Sequence, residues 1–138
     1  MNILVIDARY HTAVADALVD GATGALEKGG ARFIRVSVPG VLEIPAAIAI
    51  AAQSGKPFDG YVALGCVLAD SRIAGTLYEE TVRALMHLGT TGLAIGNGIV
   101  MAADEGAALD QAQTMDVGGD AARASLSLVT FAQRIGLT

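Results

Sequence analysis

The feature that most narrows what this chain can fold into is a repeated change of apolar period, from short continuous runs to helical spacing and back. Residues 3–6 form an unbroken apolar run, the pattern of a strand buried on both faces. Residues 13–27 then place Val14, Ala17, Leu18, Ala22, Ala25 and Leu26 at helical spacing and stop at Gly29 and Gly30. Residues 33–38 read as a second strand. Pro39 and Gly40 turn the chain into a helix through Ile44, Ile48 and Ala51, which ends at Ser54 and Gly55. Residues 60–68 give a third strand, 69–75 a loop, and Leu77, Thr81, Leu85 and Leu88 a helix closed by Gly89. A fourth strand is expected over 93–100, interrupted by Gly96, Asn97 and Gly98, followed by two helices near 104–113 and 118–134.

Strands alternating with helices call for an α/β fold, a parallel sheet with right-handed crossovers and helices on both faces. The length of 138 residues fits one domain, 1–138, with no linker, repeat or low-complexity segment. With 53% hydrophobic but only 4% aromatic residues, the core must come from Ala, Val, Ile and Leu, and that mixture packs helices closely on a sheet.

Composition also removes whole classes of function. The net charge of −5 comes without any run of like charges, so no nucleic-acid or membrane footprint is present. Cys66 is the single cysteine, which excludes an internal disulfide and a multi-cysteine metal cluster. The opening residues lack the basic and apolar regions of a signal peptide, and no apolar run reaches the ~20 residues of a membrane span. A cytoplasmic location is expected.

In open parallel sheets, ligands bind beyond the carboxyl ends of the strands. That rule selects residues 7–11, 38–43, 67–75 and 97–103. In the first, Tyr10 either stacks a planar heterocycle or covers the sheet edge. Its neighbours Arg9 and His11 read equally as solvated loop residues, since nothing in the sequence supplies a partner for the imidazole. In the second, Gly40 permits close backbone approach ahead of a helix start. Glu43 there either compensates the helix dipole or accepts hydrogen bonds from sugar hydroxyls. In the third, Ser71 is a candidate donor and Arg72 the nearby cation, against the plainer reading of a solvated loop. Cys66 reads as a small core residue rather than a reactive thiol.

Five segments together resemble the lumazine synthase family, which makes the penultimate intermediate of riboflavin. They are Ala8-Arg9-Tyr10; Val38-Pro39-Gly40 through Glu43-Ile44-Pro45; Ala63-Leu64-Gly65-Cys66-Val67; Ala94 to Gly98; and Gly118-Gly119-Asp120-Ala121-Ala122. Their order and spacing cover nearly the whole chain. The resemblance implies a three-layer α/β/α, flavodoxin-like fold with a four-stranded parallel sheet. It implies condensation of 5-amino-6-ribitylamino-pyrimidinedione with 3,4-dihydroxy-2-butanone 4-phosphate, without metal or organic cofactor. It also implies a homo-pentamer or multiple of five, with sites between subunits. On that reading Tyr10 stacks the pyrimidine, while Val41, Leu42 and Glu43 line the ribityl side. Val67 and Leu68 bond the ring through their backbones, and Asn97 stands where a neighbouring subunit contributes an aromatic ring or a Gly-Asn-Gly turn; Ser71, the candidate donor of the third segment, joins the substrate contacts.

The phosphate side departs from the family pattern. Where the family carries a histidine in the loop after strand three, this chain has Ile73 or Ala74, in a loop one residue shorter. Gln111 stands in place of the family's phosphate-binding Arg, and Val117 in place of a Lys before the paired glycines. Arg72 is left as the candidate catalytic cation. Three readings follow: a working lumazine synthase with a rearranged phosphate loop, a pyrimidine- or flavin-binding homologue without turnover, and a structural oligomer. A receiver-type domain is the outside alternative, and it suffers because Asp7 lacks a second acid and a strand-end phosphoacceptor.

Overall fold

A computed structural model describes residues 1–55 and 58–137. The chain runs β1 (Asn2–Ala8), α1 (Thr12–Lys28), β2 (Arg32–Val38), α2 (Glu43–Gln53), β3 (Gly60–Leu68) and α3 (Ala74–Thr90). It continues through β4 (Ile95–Ala102), α4 (Glu105–Gln113) and α5 (Val117–Arg134). The four strands form one parallel sheet in the order β2-β1-β3-β4.

The expected three layers follow from side-chain alternation along the two central strands. Ile3, Val5, Val62 and Leu64 point to one face, where Val14 and Leu18 of α1, Ala108 of α4 and Ala122 of α5 cover them. Leu4, Ile6, Tyr61 and Ala63 point to the other, under Ile44 and Ile48 of α2 and Leu85 of α3. Each fully buried Leu or Ile is worth about 1.5–3 kcal/mol over exposure, so these two clusters hold the layers together. Small residues set the spacing. A Cβ on Gly118 would run into the backbone of Leu18, so glycine lets α5 lie directly against α1.

Three details differ from the sequence reading. Gly96, Asn97 and Gly98 do not interrupt the fourth strand, which runs unbroken from Ile95 to Ala102. A Cβ on Gly96 would strike the Ala121 backbone, so glycine here answers close packing of α5 rather than a turn. Gly89 does not close α3, which continues through Thr90 and ends as Gly92 adopts φ 103°. The edge strand β2 is less covered than its apolar run implied: Ile34 and Val36 remain 57% and 39% exposed. Among the described residues no helix is long and apolar enough to cross a membrane.

Candidate active site

The carboxyl ends of β1, β2 and β3 enclose a cavity of about 290 Å³. Its walls come from three connections. Tyr10 and His11 belong to the β1–α1 turn, and Gly40, Val41, Leu42 and Glu43 form the β2–α2 turn. Cys66, Val67 and Leu68 end β3, with Asp70 of the next loop and Leu77 of α3 beside them. Of the residues expected at a ligand, the fold thus brings Tyr10, Val41, Leu42, Glu43, Val67 and Leu68 to one cavity.

Strand lengths expose the floor. Pairing between β1 and β3 ends at Asp7 and Leu64, whereas β3 stays paired with β4 as far as Leu68. Beyond Leu64 the β1-side backbone edge of β3 has no strand partner, and its last residues face the cavity. Unpaired backbone amides and carbonyls suit the edge of a planar heterocycle, which carries its own donors and acceptors. Tyr10 stands 81% exposed, its ring meeting the His11 ring edge-on at 4.9 Å. A phenol so placed has a free face to stack.

The β2–α2 turn is fixed by its own carboxylate. The Gly40 amide donates to Glu43 Oε1 at 2.8 Å, closing the turn three residues ahead of the carboxylate. Glu43 also lies in the first turn of α2, where its negative charge is favoured. Both readings of Glu43 therefore hold at once, since a carboxylate accepting one backbone bond still has lone pairs for hydroxyl groups.

The β1–α1 turn is anchored from below. Asp7 is fully buried and accepts from Arg35 Nε at 3.1 Å, Arg9 Nη1 at 3.1 Å and Ser37 Oγ at 2.9 Å. Arg9 also reaches Asp16 at 2.7 Å, while its backbone amide donates to the Val38 carbonyl. Burial pushes the Asp7 carboxyl up, but the hydrogen bonds from Arg35, Arg9 and Ser37 more than reverse it and hold it below the ordinary carboxylate range. The cluster joins β1, β2 and α1, and its two arginines are turned to carboxylates rather than to the cavity. Cys66 behaves as a core thiol: burial, with the Glu105 charge added, pushes it up to about 11, so it is not a thiolate near neutrality.

Other expected residues lie apart. Ser71 and Arg72 are exposed and outside the lining, and among the described residues Arg72 has no ion pair. Ile73 is 67% exposed immediately ahead of α3, and Ala74 is buried. Asn97 sits mid-strand on the β4 edge, where its side chain accepts from the Ile99 amide at 2.9 Å, and it borders a different, apolar groove. Gln111 donates to the Met101 carbonyl at 3.2 Å. Val117 opens α5 behind Asp116, which caps the Gly119 amide and pairs with Arg123. The cavity lining therefore carries two carboxylates, Glu43 and Asp70, and no Lys or Arg among the described residues.

His11 and Asp70 lie in the strand-end segments 7–11 and 67–75, and only the meeting of the two loops identifies them individually as lining. A faint signal existed, since each lies within a few residues of a strand end.

Comparison with known proteins converges on one family. The family model for 6,7-dimethyl-8-ribityllumazine synthase matches residues 1–133. The 6,7-dimethyl-8-ribityllumazine synthase of Sphingopyxis alaskensis is 41% identical over 139 residues, spanning 99% of this chain and 98% of that protein. That of Bartonella tribocorum is 42% identical, spanning 98% and 92%. The 6,7-dimethyl-8-ribityllumazine synthase 1 of Rhizobium meliloti is 42% identical, spanning 99% and 94%. The chain belongs to the 6,7-dimethyl-8-ribityllumazine synthase family.

Proposed function

We propose that this chain is a lumazine synthase of riboflavin biosynthesis, a transferase that condenses 5-amino-6-ribitylamino-pyrimidinedione with 3,4-dihydroxy-2-butanone 4-phosphate. The observation that carries this reading is the cavity itself. An exposed aromatic face at Tyr10, a carboxylate at Glu43 and the unpaired backbone edge of β3 converge within about 290 Å³. Stacking, hydroxyl recognition and backbone hydrogen bonds are the three contacts that a ribityl-substituted planar ring requires. Val41, Leu42, Val67 and Leu68 supply the apolar walls and the backbone groups. Ser71 and Arg72, on the exposed loop beside the mouth, are the groups left to meet the phosphate.

The same reading places the protein in the cytoplasm as a homo-pentamer or a multiple of five, without a metal or organic cofactor. Exposed apolar side chains on α3, α5 and the segment after it support the assembly: Met86, Leu128, Phe131, Ile135 and Leu137 are between 46% and 73% exposed. Four of them, Met86, Leu128, Phe131 and Leu137, border one apolar groove with Asn97. Light scattering coupled to size exclusion checks it, and a monomer or dimer at micromolar protein would remove the shared-site arrangement.

A second reading, a homologue that binds the pyrimidine or a flavin without turnover, is favoured by one observation: among the described residues the lining holds carboxylates and no guanidinium or ammonium. A dianionic phosphate gains least in such surroundings. Incubation of purified protein with both substrates separates the two readings. Lumazine fluorescence appearing faster than in a protein-free control supports the enzyme. Saturable riboflavin binding with no excess rate supports the binding homologue.

A further inference from the structure

We propose that His11 is the residue that moves protons at this site. The inference rests on the condensation proposed above and deepens it by assigning a catalytic group.

Joining a primary amine to a carbonyl requires proton transfers that the apolar walls of Val41, Leu42, Val67 and Leu68 cannot make. As the amine nitrogen bonds to the carbonyl carbon, the carbonyl π pair moves to oxygen. An imidazole can take one N–H proton and pass it to that oxygen, which gives the carbinolamine. A proton drawn from solvent then makes the imidazolium, which protonates the hydroxyl as the C–O bond breaks and water leaves. Loss of the remaining N–H proton to the imidazole completes the C=N bond. Amine and carbonyl thus become imine and water, and the ring ends as it began once it returns that last proton to solvent. Histidine suits both directions because it donates and accepts under the same conditions.

Among the groups lining the cavity, His11 is the imidazole. It is half-buried, and the edge-on contact with Tyr10 at 4.9 Å restrains its ring. It occupies the residue ahead of α1 but makes no side-chain cap bond, and its backbone carbonyl alone accepts from Ala15. Both ring nitrogens are therefore uncommitted within the described residues. The charged and titratable groups around it are Tyr10 beside it, Glu43 from α2, Cys66 from β3 and Asp70 from the following loop, with the Arg9–Asp7–Asp16 cluster at the root of its turn. None of these replaces it as readily. Glu43 accepts the Gly40 amide and has its remaining lone pairs assigned to the ribityl hydroxyls, and the Cys66 thiol stays protonated near neutrality. The other histidine, His87, borders a separate groove between α2 and α3 with Glu80 and Arg83.

The test compares the full chain with His11→Gln and His87→Gln. His11→Gln should lower kcat for lumazine formation by about 10²–10⁴-fold while riboflavin still binds, and should remove the imidazole-dependent limb of the kcat–pH profile. Added imidazole should restore part of the rate to His11→Ala. His87→Gln should leave rate and profile unchanged. A His11→Gln protein with the rate and pH profile of the unmodified chain would overturn the assignment and leave the proposed function standing. An unmodified chain no faster than the protein-free control would end the proposed function, and the assignment with it. Should His11→Gln fail to fold, ring resonances of the unmodified protein decide. Riboflavin should shift those of His11 and not those of His87, and an unmoved His11 signal overturns the proposal.

Discussion

Two sets of residues that the family resemblance assigns to the substrate are built on different principles. The Tyr10–Glu43–Leu68 side is held by backbone: a closed turn at Gly40, a strand extending beyond its neighbour, and a buried ion cluster beneath Arg9. The positions expected at the phosphate, Arg72, Gln111 and Val117, have their polar groups spent on protein contacts or exposed to solvent, with Gln111 bound to a backbone carbonyl and Arg72 unpaired among the described residues. Both sides sit on the same well-packed sheet. The difference teaches that packing does not require the second side to be charged, so its chemistry can change while the fold stays intact.

The largest effect should come from breaking the anchor of the first side. Asp7→Ala leaves Arg9 and Arg35 without their shared buried acceptor and should cost about 1.5–3 kcal/mol of stability, read from urea midpoints. A variant as stable as the parent would show that the cluster is no anchor. The pH dependence has a definite sign. Because the folded carboxyl lies below the ordinary range, its contribution is full above the unfolded value of about 3.9 and is lost as pH falls through the lower folded value. Midpoints measured from pH 6 downward should therefore fall in acid for the parent and fall less for Asp7→Ala.

Restoring charge to the second side should have the next effect. Gln111→Arg with Val117→Lys should lower the KM for the phosphate substrate by on the order of tenfold, since a charge-assisted hydrogen bond is worth about 1.5–3 kcal/mol before losses. Affinity for riboflavin should not change. An unchanged KM would mean that those two positions do not face the phosphate, and the contrast between the two sides would need redrawing. Arg72→Ala should raise the same KM, by less than the paired gain because the loop is exposed.

The smallest effect should fall on the stacking face. Tyr10→Ala should weaken riboflavin by about 0.5–1.5 kcal/mol beyond the lost contact area, measured by calorimetry and by loss of fluorescence quenching. Glu43→Gln should weaken it less, since a neutral amide oxygen still accepts from a hydroxyl.

What the sequence revealed depended on how local each signal was. β1 and β3 were legible because a strand buried on both faces writes an unbroken apolar run, and Gly60–Leu68 was located to the residue. The break expected at Gly96 was misread because a missing side chain signals a turn or a close approach equally. Only the Ala121 backbone overhead distinguishes them. That Tyr10, the Val41–Glu43 turn and Val67 lie at the strand-end cavity was legible because strand ends fix where those segments must lie. Asp7 with Arg35, 28 residues apart, was not, because they meet only through the strand register that sets Asp7 opposite Ser37 and Arg35 opposite Val5. Nor could spacing tell that Asp70 lines the cavity while Ser71 and Arg72, its immediate neighbours, do not.

The most direct measurement is the initial rate of lumazine formation by the unmodified chain, with each substrate varied in turn and a protein-free control subtracted. The rate should exceed the control and saturate at low pyrimidine concentration but only at high concentration of the phosphate substrate. A rate equal to the control at every concentration would contradict the proposed function.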